Sequence, residues 1–292
     1  MFCTQIRRKL HSSKWFTVLP VSLAIMLTSG TPLFAFTLSA NFEQGVNGQQ
    51  AQGPSGFSQA FSETLFSNMI AHSGTQSAAV NFTPDANDAW GESGGIEAWP
   101  TGIAKGGQVW ARGYFYFQSP WSWICSPVVK IFRIHLQDSS GNNAGYVSLF
   151  ADSTGAIVLS NEPDTYQSND PGPGQQSAIV VPAAYDINAW QCLELYVYFS
   201  PVEGSAVVRA WKNGVLIFQD TWRATMAAAT DTSDESLVFT YWNGGVPQNQ
   251  TAFVDDFEWT SVQPANTDAQ GNYMIGPMAT VTPSAPTNLT AQ

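Results

Sequence analysis

Basic residues are scarce in this sequence. Its 292 residues include 11 Lys and Arg against 22 Asp and Glu. Four basic residues, Arg7, Arg8, Lys9 and Lys14, lie in the first 35 positions, which contain no acidic residue. The remaining chain therefore has seven basic and 22 acidic residues, a net charge near −15 (7 minus 22). Nucleic acids and anionic membrane surfaces select basic patches. The composition thus predicts that neither is a partner.

Long apolar runs are also lacking, apart from "WFTVLPVSLAIMLTSG" after those basic residues. Pro20, Ser22, Thr28 and Gly30 interrupt this run, which falls short of the ~20 apolar residues that a membrane-spanning helix needs. The small residues of "PLFA" follow it, a pattern typical of a secretory signal peptide. We expect cleavage after Ala35, a secreted or periplasmic protein, and no membrane contact after cleavage.

Cysteine is rare, with three in the chain. Cys3 falls in the predicted signal peptide, which leaves Cys125 and Cys192 as an even pair in an exported protein. We predict a disulfide between them. The alternative is two unrelated thiols, because a sequence does not show whether two Cα atoms come within bonding reach.

Several cofactor motifs are missing. No spacing of His and Cys indicates zinc, and no glycine-rich run leads from a strand into a helix as phosphate loops require. We therefore expect that the protein requires no cofactor for its chemistry.

The sequence does contain many short segments in which apolar residues alternate with polar ones, separated by Gly, Pro, Asn, Asp and Ser. They are "TLSANFEQG", "SAAVNF", "QVWARGYFYFQ", "KIFRIHLQD", "GYVSLFAD", "AIVLSN", "WQCLELYVYF", "AVVRAWKNGVLIFQD", "LVFTYW" and "AFVDDFEWTSV". Many short strands with turn signals predict an all-β sandwich or barrel. Asn213-Gly214, between two such runs, predicts a hairpin. One stretch, "DTWRATMAAATDTSDES", looks helical, and we expect a short turn or loop there. We predict one β domain over residues 36–276.

The tail, residues 277–292, has the composition of a linker, with Pro283 and Pro286 in a Thr- and Ser-rich stretch. Its "PSAPTNLTA" resembles the first strand of a fibronectin type III domain. Such a domain needs ~100 residues. The likeness therefore implies a fragment of a longer chain, or it is chance.

Side-chain parity in three of the strands separates an aliphatic and Phe face from a second face rich in rings and charged donors. The second face comprises Trp110, Arg112, Tyr114 and Tyr116 in one strand, Arg133, His135 and Gln137 in another, and Glu194, Tyr196 and Tyr198 in the third, with Arg209 and Trp211 as an extension. Aromatic planes and forked donors suit the CH faces and the hydroxyl or carboxylate groups of a sugar. We therefore predict a polysaccharide as the partner.

Each of these residues also has a structural interpretation. The Tyr and Trp rings could pack under long loops as a satellite core. His135 could be a structural imidazole, and Arg112 and Arg133 could simply pair with Glu194.

The order of segments resembles a concanavalin A-like jelly roll. "NFEQG" is similar to its entry strand, "WQCLELYVYF" with "VVRAWKNGVLIF" to a central hairpin, and "FVDDFEWTSV" to its closing strand. The likeness is closest to the LamG-like and polysaccharide-lyase branches. The glucanase branch carries Glu-x-Asp-x-x-Glu on one strand, whereas Asp255, Asp256 and Glu258 have a different spacing. The resemblance therefore disfavours acid/base glycoside hydrolysis of that type.

The alginate-lyase branch of this fold carries Gln-Ile-His on a groove strand, with an Arg on a neighbouring strand and a Tyr. Arg133-Ile134-His135 resembles that tripeptide, with Arg in place of Gln. An Arg can hold a uronate carboxylate through two hydrogen bonds. The resemblance implies a polysaccharide lyase that acts by β-elimination on a uronate-containing chain.

In that reaction Arg133 and Arg112, supported by Gln137, would hold the carboxylate, and His135 would take the α-proton. Tyr196 or Tyr114 would protonate the leaving oxygen, or would act as the base if the nearby Arg residues favoured its phenolate. The alternative is a non-catalytic glycan-binding module.

The resemblance also implies a possible structural Ca²⁺, because this fold often holds one near its two chain ends. Asp255 or Asp256, with Glu43 or Asn41, would provide oxygen ligands. The alternative is a polar end of the closing strand.

Overall fold

The computed structural model describes residues 35–84, 93–163 and 178–278. Residues 1–34 of the predicted signal peptide and residues 279–292, with the fibronectin-like stretch, lie outside the described residues. The described parts contain strands, turns and bends. They include no helix that is long and apolar enough to cross a membrane. The stretch after Asp220, which looked helical by composition, forms turns until a strand begins at Thr232.

The strands are numbered in chain order. They are β1 (Thr37–Ala40), β2 (Gln59–Ala60), β3 (Thr64–Ser67), β4 (Ser77–Phe82), β5 (Gly95–Ala104), β6 (Gln108–Phe117), β7 (Val129–Gln137), β8 (Asn143–Ala151), β9 (Ala156–Glu162), β10 (Ala178–Ala184), β11 (Gln191–Tyr198), β12 (Val207–Lys212), β13 (Val215–Asp220), β14 (Thr232–Trp242), β15 (Gln250–Thr260), β16 (Asn266–Thr267) and β17 (Tyr273–Met274).

Two large antiparallel sheets make up the fold. Sheet I has the order β13-β12-β11-β6-β15-β4-β3, and β1 also pairs with β15. Sheet II has the order β10-β9-β8-β7-β14-β5-β2. A small third sheet pairs β16 with β17. The predicted all-β, two-sheet antiparallel sandwich is confirmed.

The core lies between sheets I and II and is built from the faces that parity predicted. Phe115 of sheet I and Phe132 of sheet II are fully buried, and their ring centroids are 5.6 Å apart. Leu195 belongs to this core, whereas the next residue, Tyr196, packs in a separate cluster on the outer face. Alternation therefore assigns core and outer positions correctly along these strands.

The hairpin between β12 and β13 turns at Asn213-Gly214, as predicted. Both residues have positive φ, 51° and 77°, which a type I′ turn requires at its two central positions. Asn tolerates this conformation and Gly has no Cβ to oppose it.

The prediction of one continuous ring- and Arg-rich face is wrong. β6 and β11 are neighbours in sheet I, whereas β7 lies in sheet II. Both sheets turn their apolar sides toward the shared core, so their polar sides are the two opposite outer faces of the sandwich. Arg112, Tyr114 and Tyr196 are thus separated from Arg133 and His135 by the whole core.

The predicted disulfide is also wrong, because Cys125 and Cys192 are both free. Cys192 is buried on the outer side of sheet I, opposite Tyr114. The sulfur of Cys125 lies 3.9 Å from the carbonyl oxygen of Ala151, at the end of a strand in sheet II. The two thiols belong to different sides of the molecule.

Candidate functional site

The outer face of sheet I is covered by the segment 266–278, which follows the closing strand. Trp110 donates its indole hydrogen to the carbonyl of Tyr273 at 2.8 Å. Trp211 donates to the carboxylate of Asp268, also at 2.8 Å. Trp110, Tyr196 and Trp211 form a second buried apolar cluster with Met274 and Ile275. This part of the face is a satellite core.

Glu194 fastens this segment to sheet I. Its carboxylate accepts the backbone hydrogens of Ile275 at 2.7 Å and Gly276 at 2.9 Å. Arg112 donates to the carbonyls of Gly276 and Asp256. Burial raises the pKa of Glu194 to about 7, although the two backbone hydrogens and Arg112 oppose the shift. The residues predicted to bind a sugar here bind the protein's own backbone.

The two tyrosines of sheet I that were predicted to exchange protons are poorly placed to do so. Tyr114 accepts the backbone hydrogen of Met278, and Tyr196 donates to Gln108 at 3.0 Å. Burial raises the pKa of both tyrosines to about 12 and outweighs the nearby Arg112 and Arg209. The expectation that Arg neighbours would favour a phenolate is wrong for these residues.

Of the other predicted residues of sheet I, Arg209 and Tyr198 lie beside the covered cluster and Tyr116 lies away from it. Arg209 donates to Gln219 at 2.7 Å, and Tyr198 is half-buried against the same cluster. Tyr116 is half-buried at the opposite end of β6, with its ring 5.5 Å from that of Trp190.

The outer face of sheet II carries the remaining predicted residues, Arg133, His135 and Gln137, which all belong to β7. Strand register places His135 in a row across the sheet with four residues that were not predicted. His135 of β7 lies opposite Tyr146 of β8, and Tyr146 lies opposite Glu162 of β9. On the other side of His135 are Asp234 and Glu235 of β14. We call these five residues the His135 row.

A bulge in β14 places two carboxylates beside one imidazole. Ser233 pairs with Leu136 and Ser236 with Ile134, so Asp234 and Glu235 both oppose His135. The Nδ1 atom of His135 is 2.6 Å from an Asp234 oxygen and 3.8 Å from a Glu235 oxygen. When Nδ1 donates its hydrogen to Asp234, the neutral ring keeps the lone pair of Nε2 as a proton acceptor.

Arg133 and Tyr146 complete this side of the face. The guanidinium carbon of Arg133 lies 4.4 Å from the centre of the Tyr146 ring, and Arg133 donates to Thr240 Oγ1. The rings of His135 and Tyr146 are 5.0 Å apart. Burial raises the pKa of Tyr146 and outweighs Arg133, so its hydroxyl keeps its proton. Gln137 lies half-buried at the end of the same strand.

Lys130 is a site residue that sequence parity missed. It has the same parity as Phe132 and Ile134, which predicts a core position. A register shift between Lys130 and Phe132 reverses this, so that Lys130 lies on the outer face with its ammonium 4.2 Å from the ring centre of Tyr241. Burial, followed by the charge of Arg133, lowers the pKa of Lys130 to about 8.

The residues predicted to bind calcium hold a loop in place. Asp255 accepts the backbone hydrogens of His72 and Ser73. Asp256 is 2.7 Å from His72 Nδ1 and accepts the Ser73 hydroxyl. Glu43 accepts the backbone hydrogens of residues 75 and 76, and Asn41 accepts that of Glu43. These carboxylates therefore have hydrogen-bond partners within the protein. The calcium site stays a prediction.

One other group could ligate a metal. Within residues 35–84, 93–163 and 178–278, His135, Asp234 and Glu235 are the three residues whose ligand atoms lie within 4.8 Å of one another. The 2.6 Å separation of His135 and Asp234 is that of a hydrogen bond.

Comparison with protein-family models gives no match, and comparison with curated proteins gives none either. Among solved structures, the chain is similar to the endo-β-1,4-glucuronan lyase of the fungus Trichoderma reesei, with a TM-score of 0.55, 12% identity and coverage of 78% of this chain and 95% of that chain. It is also similar to alginate lyase Aly36B, with a TM-score of 0.52, 15% identity and coverage of 77% of this chain and 97% of that chain. A third similar structure is an alginate lyase of Aplysia kurodai, with a TM-score of 0.52, 10% identity and coverage of 68% of this chain and 86% of that chain. At these identities the likeness shows a shared jelly-roll fold, which confirms the predicted fold class.

Proposed function

We propose that this protein is a polysaccharide lyase that cleaves a uronate-containing polysaccharide by β-elimination on the outer face of sheet II. One observation carries the proposal. A His that contacts a carboxylate lies opposite a protonated Tyr on the adjacent strand, and an Arg lies two residues away from the His on the same face. The shared fold with alginate and glucuronan lyases supports it. A variant of Aly36B binds an alginate tetrasaccharide, which makes a polysaccharide partner reasonable for this chain.

Arg133 neutralises the uronate carboxylate. The reaction removes the proton on the carbon beside that carboxylate, so negative charge develops on the carboxylate oxygens. The buried guanidinium is a fixed positive charge in a poorly solvated place, where its attraction for that charge is strong. Lys130, on the same face of β7, adds positive potential. Arg112 takes no part, because it lies on the other outer face.

His135 takes the proton, and Tyr146 protonates the leaving oxygen. Asp234 holds the imidazole so that Nε2 accepts the hydrogen. The electron pair of the broken C–H bond forms a double bond to the adjacent carbon, and the bond from that carbon to the glycosidic oxygen breaks. The raised pKa of Tyr146 keeps its proton available for that oxygen. A proton passed back from His135 to Tyr146 restores both groups.

The chemistry requires no cofactor, and a Ca²⁺ at Asp255 and Glu43 would be structural. A secreted or periplasmic location fits a polymer substrate and the predicted signal peptide.

The test is to incubate the protein, from Phe36 onward, with alginate, glucuronan, pectate and glycosaminoglycans. Ultraviolet absorbance follows the unsaturated sugar ends that elimination creates. We expect absorbance to rise on at least one polymer and to be lost in the Arg133→Ala variant.

A non-catalytic glycan-binding module is the second candidate. The half-buried rings of Tyr116 and Trp190, 5.5 Å apart on the outer face of sheet I, favour it. Affinity electrophoresis separates the two functions. Retardation by a glycan without any unsaturated product would support the module.

A further inference from the structure

The charges on the outer face of sheet II are unevenly distributed. In the described part of the chain, the central strand β7 carries the cations Lys130 and Arg133. Acids lie on the neighbouring strand β14 on one side and on β9, two strands away, on the other. Glu162 lies on β9, and Asp234 and Glu235 lie on β14. The cations thus lie near the centre of the face, where the charge of Glu162 also acts on Lys130, and both ends of the His135 row carry carboxyl groups.

The His135 row also sets the direction of the substrate. The proton acceptor, His135, and the proton donor, Tyr146, are directly opposite each other on β7 and β8. The C–H bond and the leaving oxygen must therefore lie along the row. Adjacent strands are about 4.8 Å apart, so the row extends about 14 Å from β14 to β9. The sugars on each side of the cleaved bond then lie over the acids at the two ends.

Arg133 lies beside the row rather than in it. It is two residues from His135 along β7 and on the same face, a separation of about 7 Å. A carboxylate that projects sideways from the reacting sugar reaches this guanidinium. A carboxylate on a neighbouring sugar instead approaches Glu162 or the Asp234 and Glu235 pair.

We propose, on the basis of the lyase function above, that the substrate is a heteropolysaccharide in which each uronate is flanked by uncharged sugars. Carboxylates on every sugar would meet like charges at both ends of the row, and repulsion of that kind excludes partners. Alternating chains place a neutral sugar at each acidic end. The acids thus select the spacing of charge along the polymer.

The experiment compares kcat/KM at low ionic strength for two groups of polymers of matched length. Hyaluronan and unsulfated chondroitin carry a uronate on every second sugar, and glucuronan, alginate and polygalacturonate carry one on every sugar. We expect the alternating polymers to be better substrates by about tenfold or more, a ratio that decreases as salt screens the repulsion.

Glu162→Gln tests whether repulsion by the acids causes this preference among the polymers. This change should raise kcat/KM on the fully charged polymers relative to the alternating ones, whereas the same change at the exposed Glu63, which lies outside sheet II, should leave the ratio as it was. A fully charged polymer that is the better substrate, or a ratio unaffected by Glu162→Gln, overturns the inference and leaves the lyase function intact. Absence of unsaturated ends from every polymer overturns the lyase function, and this inference with it.

Discussion

Arg133 has the most demanding role in the proposed reaction, since it must stabilise charge that develops during proton removal. Arg133→Ala should lower kcat/KM by about 10²- to 10³-fold, the range seen when one preorganised donor is removed. The matched control is Arg209→Ala, because Arg209 lies on the outer face of sheet I. Steady-state kinetics with the best substrate checks both variants. Equal losses in the two variants would show that the face of sheet II is not the site.

Asp234 is expected to act through His135, by holding its ring and its tautomer. Asp234→Asn should therefore lower kcat by at least about tenfold, with a smaller effect on KM, because orientation of the base affects proton transfer more than substrate binding. Glu235→Gln, at the longer 3.8 Å distance, should have a smaller effect on kcat. If KM rose and kcat stayed constant in Asp234→Asn, Asp234 would be a binding residue instead.

At the scale of the strands, alternation in the sequence was enough to predict most core positions. Bulges explain the positions at which this prediction failed. The faces of β6 and β11 follow parity without exception from Val109 to Phe117 and from Leu193 to Val197. Parity fails at Lys130 and at the Asp234–Glu235 pair, because register shifts turn these side chains to the outer face. A bulge depends on pairing with another strand, which a single segment does not encode.

The sequence also did not predict which strands belong to which sheet. "KIFRIHLQD" and "QVWARGYFYFQ" have the same pattern, and nothing in either segment says that they lie in different sheets. A cover over the rings of sheet I was expected only as an alternative, and the segment that forms it was not identified, for a similar reason. Segment 266–278 has only the short strands β16 and β17, and its contacts with Glu194 and Trp211 join positions far apart in sequence.

The clamp at Glu194 makes stability depend on pH. Its pKa is raised from 4.5 to about 7 by burial, so the native state holds a proton that the unfolded state releases. Its contribution is complete below pH 4.5 and is lost as pH rises toward 7, with a slope of about 1.4 kcal/mol per pH unit. The free energy of unfolding, measured with urea from pH 4.5 to 7.5, should decrease less steeply with pH in Glu194→Gln than in the unchanged protein. The slope should be unchanged in Glu63→Gln, and identical slopes in all three proteins would refute the assignment.

Gly113 keeps the centre of β6 open for a core ring. A Cβ at this position would lie 2.2 Å from the Phe257 ring, which is 1% exposed. Gly113→Ala should reduce the free energy of unfolding by about 1–3 kcal/mol through overpacking. Gly102→Ala, where the nearest atom would be 3.3 Å away, is the comparison and should cost less. A melting temperature as high as that of the unchanged protein would contradict this packing.

At the scale of the whole domain, stability comes from the two-sheet core, and the described residues contain no covalent crosslink. Cys125 and Cys192 are free, and burial raises their pKa values to about 11 and about 12, which keeps both thiols protonated. For the protein from Phe36 onward, the melting temperature should be the same with and without a reductant, and two thiols should react after denaturation. A lower melting temperature on reduction would show a disulfide.

The whole molecule presents two outer faces, and the central claim is that only the face of sheet II performs chemistry. The most direct measurement is the initial rate of ultraviolet absorbance increase on the polysaccharide panel for the unchanged protein, Arg133→Ala and His135→Ala. We predict a measurable rate for the unchanged protein on a uronate polymer and a decrease of at least about a hundredfold in each variant. A flat trace for the unchanged protein on every uronate polymer, or undiminished rates in both variants, would contradict the account.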